Sequence, residues 1–294
     1  MTYIVHGATG AQGAPVLSRL LDSGLPVTAA VRTPAGVPDG VRTVRVDLGD
    51  AVSLAAAYHD AEGVFVHLPL GSPDQIDRYA DAIVTAMKIA TPRRVVISTS
   101  GQIVDDPASP LAADATSPIR KLVDGVRSSG TSLAVVAPRL YLENLLLPVV
   151  AGPAQEAGVL RYPLPSNYPV SWSSHADVAE VAVRLLTDTA ITGVVSVGHL
   201  PALTGDDLAS AFATLVGRDV VYEAIDPEHF GTLILPLFGA ESTGPVVGLY
   251  QALNMLSGHV ISADRSAQQL LGVAPAAVAE RLAQAVALLS SAGA

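Results

Sequence analysis

The sequence predicts an α/β fold, a doubly wound parallel sheet with a small C-terminal lobe, and two observations predict it. Short apolar or β-branched runs alternate with segments of helical spacing through the first half of the chain, which is typical of strands joined by right-handed helical crossovers. A glycine-rich motif stands directly between the first run and the first helix. The predicted strands of this half are residues 3–5, 27–31, 41–46, 63–67, 94–98 and 132–137.

Each remaining element follows from local pattern. Three helices of the first half are predicted from apolar stripes that begin near Leu17, Ile76 and Ile119, the second of them after Pro73 at a helix start. The pattern loosens after Asn144. We expect loops over 152–169 with a short strand at 159–162, a helix at 176–186, a strand at 194–197, a helix from about 204 and a helical tail over 275–290. The expected division is a first domain over residues 1–152 and a mixed region over 153–294 that completes the sheet and forms the lobe.

Composition excludes several classes of protein. Half of the 294 residues are hydrophobic and 15% are charged, which is typical of a globular chain with a large core. The formal net charge of −10 argues against general binding to nucleic acid or anionic membranes. No uninterrupted apolar run approaches the roughly 18 residues of a membrane span, and no basic region followed by a long apolar core opens the chain, so we expect a cytoplasmic protein. Cysteine is absent, which excludes disulfides and thiolate chemistry.

The glycine motif carries the clearest chemistry. It reads Gly7-Ala8-Thr9-Gly10-Ala11-Gln12-Gly13 and follows a predicted strand and opens a helix, the context that gives such a motif meaning. Gly7 would allow the tight turn, Gly10 would let backbone approach a pyrophosphate, and Gly13 would let helix and strand pack closely. Free N–H groups and the positive end of the helix dipole would then face the phosphates. The sequence therefore predicts a dinucleotide site.

The residue after the second strand favours one dinucleotide. Arg32 stands where a protein that selects NAD usually places an acidic residue for the ribose hydroxyls, and a guanidinium suits a 2′-phosphate. We therefore expect NADP(H) as the cofactor. Asp47 and Leu48, after the third strand, would flank the adenine, although Asp47 could equally cap the helix that follows.

Several segments together resemble the NmrA-like family of atypical short-chain dehydrogenase/reductases. They are the glycine motif, Arg32, the strand 94–98, the Pro-x-x-Tyr-x-Glu-Asn segment at 138–144 and the Trp-Ser-Ser-His-Ala-Asp-Val stretch at 172–178. The resemblance covers roughly residues 1–186 and implies a Rossmann-type domain with a small substrate lobe. Family members include NADPH-dependent quinone and dye reductases, isoflavone-reductase relatives and non-catalytic redox sensors.

The resemblance also implies roles for individual residues. Thr9, Gly10, Ala11 and Gln12 would lie along the pyrophosphate, and Pro138 and Tyr141 would approach the nicotinamide, where Tyr141 is a candidate proton donor. Ser100 ends the fifth strand, where the superfamily often places a catalytic serine. The cofactor-binding set predicted in full is Gly7, Thr9, Gly10, Ala11, Gln12, Gly13, Arg32, Asp47, Leu48, His67, Leu68, Pro69, Ser98, Thr99 and Pro138.

The acid–base couple of standard short-chain reductases is missing. Those enzymes use Tyr as proton donor with Lys four residues later, whereas counting back from Ser129-Gly130 puts Thr116 in the Tyr place and Arg120 in the Lys place. Lys121 is one residue out of register and is either a catalytic candidate or a solvated side chain. Arg120 and Asp124 have the spacing of a surface pair. This departure disfavours a Tyr-dependent reduction of carbonyls but leaves hydride transfer intact, because the cofactor supplies the hydride.

The sequence thus predicts an NADPH-dependent oxidoreductase that acts on a small quinone-like or other electrophilic organic substrate. Two alternatives stay open: a non-catalytic NADP(H) sensor, and an isomerase or cyclase on the same fold. No metal site is expected, since none of the seven histidines has ligand spacing. We expect neither nucleic-acid nor membrane partners, and a homodimer is left open. Five apolar side chains could line a substrate pocket or fill the core of the lobe: Trp172, Phe230, Phe238, Tyr250 and Met255.

Overall fold

The computed structural model describes the backbone of residues 1–292 and the side chains of residues 1–288. The chain forms two compact units. The first contains residues 1–138, 175–197 and 264–273, and the second contains 139–174, 198–263 and 274–294. The chain therefore passes between the units several times, because a helix and a strand return to the sheet after the second unit has begun. The sequence suggested one division after residue 152, with the later region completing the sheet, and that division stays a prediction.

A seven-stranded parallel sheet forms the centre of the first unit. Its strands, from one edge to the other, are β3 (Arg42–Arg45), β2 (Val27–Val31), β1 (Thr2–His6), β4 (Ala61–His67), β5 (Arg94–Ser98), β6 (Ser132–Pro138) and β8 (Gly193–Val197). All five residues of β2 are buried, as expected for a parallel strand covered on both faces. The doubly wound sheet predicted from the sequence is confirmed.

Six helices flank this sheet: α1 (Gly13–Asp22), α2 (Ala51–Tyr58), α3 (Pro73–Ala90), α4 (Pro118–Ser128), α6 (His175–Thr187) and α9 (Ala267–Leu271). α1 packs against α6, while α2 packs against α3 and α3 against α4. Because all the strands run parallel, their carboxyl ends share one edge, which we call the carboxyl edge. The chain winds outward in both directions from β1 and β4, and ligands of open α/β sheets bind at such a switch point.

The second unit holds a two-stranded parallel sheet and four helices. The strands are β7 (Val159–Tyr162) and β9 (Val221–Ala224), and the helices are α5 (Pro148–Ala157), α7 (Gly205–Val216), α8 (Pro227–Asn254) and α10 (Val278–Ala292). The sequence predicted loops where α5 lies, since Gly152 and Pro153 fall inside that helix. Pro148 at its first turn and Gly158, left-handed at its end, are nevertheless ordinary boundary residues of a helix.

Aromatic side chains form the interior of the second unit. The rings of Trp172, Phe230 and Tyr250 each lie within 5.7 Å of the Tyr162 ring, and all four residues are buried. Of the five residues that the sequence offered as pocket or core, these three are core, whereas the exposed fractions of Phe238 and Met255 are 42% and 85%.

Helix α8 is long and apolar enough, by length and composition alone, to cross a membrane. Its backbone leaves helical geometry at Gly239, and it contains Pro236 and Pro245. Neither arm beside the kink reaches the roughly 20 residues that a span needs. Phe230, Ile234 and Tyr250 turn one side of α8 into the unit, so they anchor a helix that is otherwise largely exposed.

Candidate functional site

The glycine loop joins β1 to α1 by a tight turn. Gly7 has a φ of 59°, a left-handed conformation that favours glycine, and its carbonyl accepts a hydrogen bond from the N–H of Gly10 at 2.8 Å. A Cβ on Gly13 would lie 2.2 Å from the Gly7 oxygen and 2.5 Å from the His6 oxygen. Gly7 and Gly13 thus have the conformation and the close packing that the motif predicted, while Gly10 meets only the Gly7 oxygen.

The N-terminus of α1 has the chemistry of an anion site. Gln12 is the N-cap residue, but its side chain caps no N–H group of this helix as the structure describes it, and the first turn has no acidic residue. The N–H groups of that turn and the positive end of the helix dipole are then left for an external anion. A dinucleotide pyrophosphate therefore fits the residues of this loop.

The Gln12 side chain lies against the end of β5 instead. Ser98 Oγ donates to Gln12 Oε1 at 2.7 Å, and Gln12 Nε2 donates to Ser100 Oγ at 2.9 Å. Ser98 and Thr99 are fully buried, whereas Ser100 is half-buried and has a φ of 55°. The structure thus brings three of the predicted site residues into one hydrogen-bonded group. No local signal in the sequence could pair Gln12 with residues so far along the chain.

The ends of β2 and β3 reach the same edge. Arg32 follows β2, is exposed, and forms no ion pair with any side chain among residues 1–288. The loop after it returns to the glycine motif, since a Cβ on Gly36 would lie 3.6 Å from Thr9 Cγ2. Arg32 is therefore available to an anionic ligand at the carboxyl edge.

After β3, Asp47 Oδ1 accepts a hydrogen bond from the N–H of Gly49 at 2.9 Å. Asp50 is the residue that caps α2, through the N–H groups of Val52 and Ser53. The alternative that Asp47 caps this helix is therefore wrong, because its carboxylate closes the turn that precedes the cap. Leu48 is half-buried against the core of the sheet.

His67 ends β4 and lies against the glycine loop. A Cβ on Gly7 would be 2.7 Å from His67 Nε2, and that nitrogen is buried without a hydrogen-bond partner in the described part of the chain. Burial lowers the pKa of His67, and the nearby His175 lowers it further. Burial likewise lowers the pKa of His6 to about 3, with a smaller contribution from His67. Both imidazoles are therefore neutral at pH 7.

Leu68 and Pro69 follow His67. Leu68 is buried within the core on one face of the sheet, and Pro69 is half-buried. Pro138 is the last residue of β6 and pairs with Val197 of β8. Tyr141 belongs to the second unit, where its backbone bridges to Ser173 and it precedes a short 3-10 helix, Leu142–Leu146. The predicted role of Tyr141 as proton donor stays a prediction.

The segment aligned with the missing Tyr–Lys couple takes a different form. Thr116 does not lie on a helix, because α4 begins at Pro118 with Ser117 as its N-cap. The Thr116 hydroxyl donates a hydrogen bond to Asp114 Oδ1 at 2.6 Å. Lys121 Nζ lies 2.7 Å from Asp77 Oδ1 and 3.2 Å from Asp81 Oδ1, both on α3. The hydrogen bond to Asp77 raises the pKa of Lys121, which makes it a poorer acid.

Other predicted features are also placed. Arg120 and Asp124 form the expected surface pair, with Nε and Oδ2 3.9 Å apart. His175 is the first residue of α6. Among the residues that the structure describes, no group of three or more His, Asp or Glu side chains could hold a metal ion.

Comparison with known proteins identifies the family of this chain. The sequence matches the model of the NmrA-like family over residues 1–267. It is 31% identical to the (4-alkanoyl-5-oxo-2,5-dihydrofuran-3-yl)methyl phosphate reductase of Streptomyces griseus subsp. griseus over 237 residues, which are 79% of this chain and 80% of the relative.

Solved structures share the fold. The triphenylmethane reductase of Citrobacter sp., complexed with NADP(H), is 17% identical with a TM-score of 0.78 and covers 96% of this chain and 100% of its own. An NADPH-dependent quinone oxidoreductase of Escherichia coli, complexed with NADPH, is 20% identical with a TM-score of 0.72 and covers 97% and 100%.

Proposed function

The chain belongs to the NmrA-like family and is an NAD(P)-dependent oxidoreductase of the atypical short-chain reductase type, and we propose that it transfers a hydride from NADPH to a small conjugated electrophile. One observation carries the choice of substrate class. The carboxyl edge combines a glycine loop whose geometry fits a pyrophosphate with a serine hydroxyl. The segment that usually supplies the Tyr–Lys couple instead has Thr116 before its helix and Lys121 in ion pairs with α3.

Arg32 supports NADPH over NADH. Its guanidinium is exposed at the end of β2, and the loop that follows it passes close to Thr9 of the glycine motif at Gly36. A 2′-phosphate at this edge would meet a planar cation that can form two hydrogen bonds to it. In an otherwise acidic chain, with a formal charge of −10, such a cation offsets an unfavourable background field.

Conjugated acceptors suit a site without a strong general acid. Hydride addition to a saturated ketone produces a strongly basic alkoxide, which needs a proton in the transition state. Addition to a quinone or to the β carbon of a conjugated carbonyl compound produces a delocalised phenolate or enolate, and solvent can protonate that weaker base afterwards. One hydride and one proton are consumed, and the cofactor leaves as NADP⁺.

The names of relatives point the same way. The Streptomyces reductase acts on a dihydrofuranone whose ring double bond is conjugated with a ring carbonyl and an alkanoyl group, and the Escherichia coli oxidoreductase acts on quinones. Both are conjugated acceptors that give stabilised anions. We therefore propose this shared chemistry for the present chain and extend it to no single compound.

The test is a panel of acceptors assayed with NADPH by loss of absorbance. A benzoquinone and a 3-acyl-2(5H)-furanone should be reduced at least ~100-fold faster than a saturated ketone of similar size, which is the low end of what general-acid catalysis contributes. Fast reduction of the ketone would overturn the proposed substrate class. A protein that binds NADPH but reduces no member of the panel would overturn the proposed activity and favour a sensor.

A further inference from the structure

Two hydrogen bonds join the glycine loop to the end of β5, and a third lies within the turn that follows that strand. Ser98 Oγ donates to Gln12 Oε1 at 2.7 Å, Gln12 Nε2 donates to Ser100 Oγ at 2.9 Å, and the N–H of Ser100 donates to Ser98 Oγ at 3.3 Å. An amide has one accepting and one donating end, so the bond from Ser98 determines which end of Gln12 faces Ser100. Ser100 Oγ is thereby the acceptor in its bond with Gln12.

This arrangement leaves the hydrogen of the Ser100 hydroxyl to another acceptor. A hydroxyl can donate one hydrogen bond while it accepts others, and the hydrogen rotates to suit its surroundings. Because Gln12 Nε2 occupies the accepting side of Ser100 Oγ, the O–H bond is directed away from Gln12. Ser98 and Thr99 are fully buried, but Ser100 is half-buried, so its hydrogen can reach a ligand at the carboxyl edge.

The backbone supports the same interpretation. Ser100 has a φ of 55° and the next residue, Gly101, a φ of 92°. A left-handed serine is uncommon, and residues held in such conformations cluster at functional sites. The bond from Gln12 holds the oxygen of Ser100, and the bond to Ser98 holds its backbone N–H group, so the turn is supported on two sides.

We propose that Gln12 is a positioning residue that acts through Ser100: its amide orients the Ser100 hydroxyl to donate a hydrogen bond to the carbonyl oxygen of the conjugated substrate. This inference rests on the proposed function. Negative charge grows on that oxygen as the hydride arrives at the far end of the conjugated system, and a donor already aimed at it lowers the barrier without reorganisation. Glutamine at this place in the glycine motif then serves the reaction as well as the cofactor loop.

A double-mutant cycle tests the proposal. Gln12→Met keeps the length of the side chain and removes the hydrogen bonds with Ser98 and Ser100, and Ser100→Ala removes the hydroxyl. At saturating NADPH and acceptor, each single change should lower kcat about tenfold, and the double variant should lower it no further, since residues that act as a unit are non-additive. The Kd for NADPH should change less than about threefold, well short of the tenfold that 1.4 kcal/mol represents.

Two further variants separate positioning from packing. Gln12→Glu has the same shape but cannot donate to Ser100, so it should lower kcat as much as Gln12→Met does at saturating NADPH. Gln251→Met is the matched control, because the Gln251 amide donates to Glu228 at 2.6 Å on the exposed side of α8. That variant should leave kcat unchanged.

Three outcomes would overturn the inference. Multiplicative loss of kcat in the double variant, about 100-fold, would show that the two residues act independently. A rise in the Kd for NADPH in Gln12→Met, with kcat unchanged, would show that Gln12 acts only in cofactor binding. Full activity of Gln12→Glu would show that the side chain only fills space.

An NMR measurement keeps this inference distinct from the proposed function. Ser100→Ala should shift the ¹H–¹⁵N signals of the Gln12 side-chain amide in the protein without substrate, whether or not any acceptor is reduced. An unchanged signal would show that Gln12 does not bond to Ser100 and would refute the inference. A wild-type protein that reduces nothing would instead refute the proposed activity.

Discussion

Hydroxyl groups form hydrogen-bonded groups in two regions of the molecule, and the two regions treat them differently. At the carboxyl edge, Ser100 accepts from Gln12 and stays half-buried. In the second unit, the hydroxyls of Tyr162 and Tyr250 bond to each other inside the aromatic cluster. Burial raises the pKa of Tyr162 well above its ordinary value and that of Tyr250 to about 12.

This difference in partners and burial suggests that the serine hydroxyl serves the reaction and the tyrosine hydroxyls serve stability. Each tyrosine hydroxyl has its partner inside the fold and holds its proton firmly, so the pair contributes to folding and cannot act as an acid near neutral pH. The serine hydroxyl has one side satisfied by the protein and one side turned toward the edge of the sheet. Substitutions at the edge should therefore change binding and turnover, and substitutions in the aromatic cluster should change stability.

The largest effect is expected from Gly10→Val at the edge. A Cβ there would lie 3.3 Å from the Gly7 oxygen, a tight contact that requires the loop to shift by a few tenths of an ångström. A branched side chain would also stand where a pyrophosphate must approach. The affinity for NADPH, measured by calorimetry, should fall at least ~100-fold, which is ~2.7 kcal/mol. Gly152→Val is the control, since nothing lies within 4 Å of a Cβ at Gly152. A folded Gly10→Val protein with normal affinity would show that this loop is not the phosphate site.

Tyr162→Phe tests the other region. It leaves the buried Tyr250 hydroxyl without its partner, and an orphaned buried hydroxyl costs about 1–3 kcal/mol. Urea denaturation should report that loss, and adding Tyr250→Phe should cost less than a second such step, because the orphaned Tyr250 hydroxyl is then removed. The kcat should not change in either variant. Reduced kcat at unchanged stability would show that Tyr162 and Tyr250 take part in the reaction, and the contrast between the aromatic cluster and the carboxyl edge would then be wrong.

Arg32→Ala tests whether the carboxyl edge selects NADPH over NADH. NADPH should bind the unmutated protein at least about tenfold more tightly than NADH, a difference of ~1.4 kcal/mol. The substitution should remove most of this preference by weakening NADPH, while NADH affinity stays nearly the same, because only NADPH carries the 2′-phosphate. Equal affinities in the unmutated protein would contradict the assignment.

Features of the fold that depend on local sequence could be predicted. Local patterns located the strands well: β2, β5 and β7 have the predicted bounds, since a buried strand needs only a short apolar run between turn residues. Gly7 and Gly13 indicated the geometry of the loop, because glycine has no Cβ and therefore suits a tight turn or a close approach of backbone.

What could not be predicted depends on contacts between distant residues. No local signal states that Gln12 meets Ser98, or that Lys121 meets Asp77, because each pair forms only when the sheet and helices assemble. The start of α4, by contrast, has a local signal. Ser117 followed by Pro118 is an ordinary start signal for a helix, and it places Thr116 outside α4.

The smallest effect is expected from Lys121→Ala, and it tests whether the edge works without the usual lysine. The Lys121 ammonium pairs with Asp77 and Asp81 of α3, and these carboxylates raise its pKa and keep it charged. Lys121 is therefore held at α3 and is a poor proton donor. Removing it should change the kcat for a quinone less than about twofold, in line with the small contribution of exposed ion pairs. Arg127→Ala, which removes a surface pair with Asp124, is the matched control and should behave the same way. The assay should include a saturated ketone, because a catalytic lysine would matter most for that substrate. Rapid ketone reduction that collapses in Lys121→Ala but not in Arg127→Ala would place Lys121 in the reaction, and the proposed preference for conjugated acceptors would then lose its physical basis.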